Sequence, residues 1–146
     1  MDQSASVAGL ARAIQLSVAP VFLLTGIAGL LNIFTGRLAR IIDRARSLQL
    51  ALEQADPPRV QGLELALEVQ RRRIYLTNRA ILLACVTALL VAGVVAVLFI
   101  SAVAAVDLAV IVVPVFVLAM LSLIVALLCF LLEVQLAIRQ NPLRYY

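Results

Sequence analysis

The sequence predicts an all-α integral membrane protein with three transmembrane helices and a cytoplasmic antiparallel helical hairpin continuous with spans one and two. Three observations predict it. Three runs, about 14–36, 80–106 and 108–132, carry no charged residue and exceed the ~20 residues that a bilayer core takes. Nine of the twelve basic residues fall between the first two runs. That intervening segment, 37–79, holds two apolar stripes of helical period, broken once at Ala55-Asp56-Pro57-Pro58.

The first span contains only mild interruptions: Gln15, Ser17, Pro20 and Thr25. Residues 4–16 form either a short helix on the outer surface or the first turns of this span. Pro20 is tolerated if the helix begins near Ser17 and kinks it if the helix begins earlier. No basic leader precedes the run and no small-residue cleavage site follows it, so the span is expected to be retained.

In the hairpin, Leu38, Ile41, Ala45, Leu48 and Leu52 recur at spacings of three and four. So do Val60, Leu63, Leu67, Gln70, Ile74 and Thr77. Each stripe gives its arm something to bury against the other. Asp56 is a natural N-cap, with Pro57 at the first helical position of the second arm. Two arms alone form a thin layer, and arms of other subunits are expected to complete their burial.

Spans two and three meet in a short connection whose one charge, Asp107, suits the start of span three. Pro114 is expected to bend that span. Stripes of small residues mark packing faces: Ala84, Ala88, Ala92 and Ala96 in span two, and Ala119, Ser122, Ala126 and Cys129, ending at Glu133, in span three.

Charge fixes the expected orientation. Arg37, Arg40, Arg44, Arg46, Arg59, Arg71, Arg72, Arg73 and Arg79 lie between spans one and two, and Arg139 and Arg144 follow span three. The positive-inside rule then puts the hairpin and the C-terminus in the cytoplasm and the N-terminus outside. Choosing arginine throughout, with no lysine, fits a GC-rich bacterial genome, and the expected location is the inner membrane. The basic balance is not a nucleic-acid signal: arginines flanking spans are topology determinants and phospholipid contacts. Arg71, Arg72 and Arg73 are the candidate contacts for anionic lipid. Cys85 and Cys129 read as reduced packing residues. Phe34, Tyr75, Phe99, Tyr145 and Tyr146 are the aromatic anchors.

No catalytic constellation is visible. The chain has no histidine, no base–nucleophile pair, no phosphate-binding loop and no metal-ligand spacing, so it is not expected to be an enzyme or to hold a cofactor. What the sequence does offer is one helix face. Thr25, Gly29, Asn32, Gly36, Arg40 and Asp43, at spacings of three and four, are small or polar from the membrane into the charged segment. Within lipid such a face meets protein or water. It lines a pore formed by several copies of span one, or it is a helix-contact face in which the glycines permit close approach. Asp43 is expected to bridge its neighbouring arginines. Glu133, level with Arg37 and Arg79 in depth, is the candidate partner of an interfacial ion pair with them.

The stretch Ser17-Val18-Ala19-Pro20-Val21-Phe22-Leu23-Leu24-Thr25-Gly26-Ile27-Ala28-Gly29-Leu30-Leu31-Asn32 mixes proline, glycine and asparagine in an apolar run. Gly36-Arg37-Leu38-Ala39-Arg40-Ile41-Ile42-Asp43-Arg44-Ala45-Arg46 follows it, and Arg71-Arg72-Arg73-Ile74 lies further on. Together they resemble the small bacterial membrane proteins grouped as domain of unknown function 2721. The resemblance implies a three-span membrane protein and supplies no catalytic or binding residue. Two functions follow as expectations: a homo-oligomeric ion channel lined by the first span, or a non-conducting scaffold or sensor whose hairpin binds a partner or anionic lipid.

Overall fold

The lengths of the helices follow from where the chain can break them. A computed structural model describes residues 2–104 and 109–139. It contains α1 (Asp2–Glu53), α2 (Pro57–Ala104) and α3 (Ala109–Arg139). All three are long and apolar enough to cross a membrane. The 52 residues of α1 and 48 of α2 each exceed twice what a bilayer core takes.

Helix α1 starts at Asp2, so residues 4–16 are its first turns and not a separate element. Pro20 therefore lies inside the helix and is buried, where its missing N–H leaves the carbonyl four residues earlier without its helical bond. Pro114 lies inside α3 in the same way. The turn between α1 and α2 closes with the Ala55 amide donating to the Leu52 carbonyl at 3.3 Å and the Arg59 amide to the Asp56 carbonyl at 2.9 Å. Pro57 begins α2, where a missing amide hydrogen is harmless. The expected cap by Asp107, and the anchors Tyr145 and Tyr146, fall outside the described residues.

The chain divides into two units. The first combines Met1–Leu31 with Leu83–Ile124. Its interior is made by Pro20 and Ile27 of α1, Ala84, Thr87, Val91 and Val94 of α2, and Ala119 of α3. The Ser122 hydroxyl donates to the Leu83 carbonyl at 3.1 Å, and the Thr87 hydroxyl donates to the same oxygen at 2.8 Å. The packed face of α2 is not the four-residue alanine stripe read from the sequence. Ala84 is buried and Ala88 half-buried, but Ala92 and Ala96 are exposed. A step of four in a helix of 3.6 residues per turn drifts ~40° each time. The buried residues alternate steps of three and four and so stay on one side.

The second unit combines Asn32–Leu82 with Val125–Tyr146 and contains the hairpin. Ile41 is buried, and Leu38, Ala45, Leu48 and Leu52 are half-buried along α1; Gln70 and Thr77 are buried, and Val60, Leu63, Leu67 and Ile74 half-buried along α2. Phe34 is fully buried. Its ring lies 4.5 Å from that of Phe130, tilted 33°, so it is a core residue and not an interfacial anchor. Thr77 is buried at no polar cost, because its hydroxyl donates to the Arg73 carbonyl at 3.0 Å.

Most large apolar residues of the spans face outward: Phe22, Leu89 and Val110 are all exposed. That is the surface a lipid-facing helix needs and a water-soluble domain avoids.

Candidate functional site

Glu133 is the only acidic residue in α3, and burial of its carboxylate is complete. An isolated buried carboxylate is prohibitively costly, so its neighbours must compensate. Arg73 does most of this. Its Nε donates to Oε1 at 3.0 Å and its Nη2 to the same oxygen at 2.8 Å. The third nitrogen, Nη1, donates to the Oε1 of buried Gln70 at 3.3 Å. The other carboxylate oxygen, Oε2, lies 3.3 Å from Arg37 Nη2. That distance makes an ion pair, but Oε2 accepts no hydrogen bond among the described residues. The Arg37 guanidinium also sits 5.2 Å over the Phe130 ring, within cation–π range.

Of the three residues expected to form this ion pair, the structure brings Arg37 and Glu133 together and leaves Arg79 out. Arg79 lies 4.9 Å over the ring of Tyr75 on the exposed side of α2. Its place is taken by Arg73, which the sequence had put with Arg71 and Arg72 at the lipid surface; the latter two are exposed. The reason is register. Arg37 and Arg73 lie equally far from the turn that joins α1 to α2, and antiparallel arms set such residues opposite each other. That symmetry was readable from the sequence once the turn was placed.

Along α1, Thr25, Gly29, Asn32, Gly36, Arg40 and Asp43 are all exposed. A Cβ built on Gly29 or Gly36 would meet nothing within 4 Å. Among the described residues these glycines therefore serve no helix contact. Thr25 donates to the Val21 carbonyl of its own helix at 3.2 Å, not across a contact. The carboxamide of Asn32 makes no hydrogen bond among the described residues. Among the described residues, Asp43 forms none of the salt bridges expected of it. Arg40 and Arg46 stand one helical turn away on its side of α1, yet all three side chains are exposed and no ion pair joins them; Ser47 donates to the Arg44 carbonyl at 2.8 Å.

Where the α1 and α2 arms of the second unit meet lies a cleft of about 390 Å³ lined by Arg37, Arg40, Ile41, Arg44, Gln70 and Arg73. Cys85 and Cys129 are free thiols. Among the described residues, no group of three His, Cys, Asp or Glu side chains is placed to hold a metal ion.

Residues 17–142 match the model of a family described as "Protein of unknown function (DUF2721)". The chain belongs to this family. No curated protein and no solved structure matches it.

Proposed function

We propose that this protein is a homo-oligomeric, non-enzymatic protein of a bacterial inner membrane, in which copies of α1 surround an ion path. The single observation that carries the reading is Asn32. Its amide is exposed within an apolar run and makes no hydrogen bond among the described residues. An unsatisfied polar group in hydrocarbon costs several kcal/mol. Another copy, or water held between copies, removes that cost. Gly29 and Gly36 on the same helix leave the backbone uncovered, and Arg40 extends the face beyond the apolar run. An arginine ring at one mouth favours anions or bars cations. By the distribution of arginines, that mouth is cytoplasmic and the N-terminus is outside.

Planar-bilayer recording of purified protein tests this, with Asn32→Leu and Arg40→Ala variants. Currents that fall with the first change and alter selectivity with the second support the pore. A silent bilayer, or currents indifferent to both, would falsify it. A second reading, a non-conducting scaffold or sensor, is favoured by the exposed Arg71 and Arg72, which present basic charge to a partner or an anionic lipid. A monomer or tight dimer in detergent, with no conductance, selects that reading.

A further inference from the structure

We propose that the cleft between the arms of the hairpin is a binding site for a phosphate-bearing anion. It is lined by four arginines and by no carboxylate. Four arginines around one space bring like charges close together, and a bound anion would offset that repulsion. Glu133 lies beside this cleft and neutralises part of that charge, but it is already committed to Arg73 and Arg37. Arg40 and Arg44 form no ion pair with any described residue. They stand at (i, i+4) on α1, one above the other on a single face.

The site is built, not merely charged. Glu133 fixes Arg73 through two of its three nitrogens, and Gln70 holds the third. Both of these partners are more than nine-tenths buried. Arg73 therefore stands as a rigid wall of the cleft, with one hydrogen left on each Nη. Guanidinium forks match phosphate oxygens bidentately, which ammonium groups cannot do. A space of 390 Å³ is in the range of small-ligand pockets and takes a phosphorylated headgroup. Arg37 directly follows the charge-free run 14–36, so the cleft is expected to open at the depth of the bilayer phosphates. A phospholipid headgroup is the expected source of the phosphate, and a soluble phosphate is the other. The site lies within one chain and stands whether or not α1 lines a pore.

The test uses the full chain in a zwitterionic detergent, titrated with dioctanoyl phosphatidic acid, with dioctanoyl phosphatidylcholine, and with inorganic phosphate. Binding is read by native mass spectrometry and by thermal shift. The wild type is expected to bind phosphatidic acid saturably. Arg40→Gln/Arg44→Gln is expected to weaken this at least tenfold, with helical content unchanged because both residues are exposed and unpaired. Arg46→Gln/Arg59→Gln removes the same charge away from the cleft and is expected to bind like wild type. Arg44→Gln alone, which leaves the Asn32–Arg40 face intact, is expected to weaken binding without changing any conductance. Binding of phosphatidic acid but not inorganic phosphate assigns a lipid; competition by inorganic phosphate assigns a soluble anion. Absence of saturable binding, or equal losses in the two double variants, overturns the site.

Discussion

Arg73 gives two of its nitrogens to one oxygen of Glu133, at 3.0 and 2.8 Å, while Arg37 only approaches the other oxygen at 3.3 Å. The two arginines are thus unequal partners of one buried carboxylate. Removing one member of a buried pair strands the other, a loss of ~3–5 kcal/mol. Arg73→Ala is expected to lose that much, read by reversible unfolding in mixed detergent. Arg37 is one-third exposed, and Arg37→Ala is expected to lose only about 1 kcal/mol. Equal losses would show that the two arginines share Glu133 evenly.

Replacing all three members by apolar residues removes the desolvation penalty along with the attraction. Arg37→Met/Arg73→Met/Glu133→Leu is expected to be no less stable than wild type, within about 1 kcal/mol, since buried ion pairs are often neutral against hydrophobic replacements. A loss as large as that of Arg73→Ala alone would mean that this ion cluster contributes net stability.

Gly29→Ala and Gly36→Ala separate the fold of one chain from its association. Within the chain the added methyl meets open space, and alanine is the better helix former by ~1 kcal/mol. The isolated chain is therefore expected to be as stable or more so. If copies pack through this face, the same changes hold the helices apart, and cross-linking or mass photometry should show fewer oligomers. Unchanged assembly in both variants removes the face from the interface.

Ser122→Ala deletes the hydroxyl that ties α3 to the Leu83 carbonyl, but leaves that oxygen its bond from Thr87. Interhelical hydrogen bonds inside membranes average ~0.6 kcal/mol, and a loss of that size is expected. A value above ~2 kcal/mol would point to a larger rearrangement of the first unit.

Orientation has its own test. With Cys85 and Cys129 replaced by serine, a cysteine at Gln54 is expected to react with an impermeant maleimide only after the cells are opened. Labelling of intact cells would reverse the topology.

Much of this arrangement was legible before the fold. Charge-free runs give three spans because hydrocarbon tolerates no unpaired charge, and Pro57-Pro58 stops a helix because proline has no amide hydrogen. The residues read as inward in the arms, from Leu38 to Leu52 and from Val60 to Thr77, are those the hairpin buries or half-buries. Of the two partners read for Glu133, Arg37 is paired with it, while Arg79 was misread because depth was counted from the edge of the apolar run. Register is counted from the turn, which favours Arg73. Phe34 was misread for a related reason: an aromatic at a span's end suits an interface, and only a ring across from it, Phe130, makes it core.

Composition and period thus determined by themselves that this chain is three long apolar helices with a charged hairpin, since both follow from solvent preference and backbone geometry one segment at a time. Tertiary structure decided which arginine neutralises Glu133, which side of α2 is packed, and that Thr25, Gly29, Asn32 and Gly36 of α1 are exposed among the described residues. Those are choices among faces of the same helices. Pairwise register makes them, and no single segment contains it.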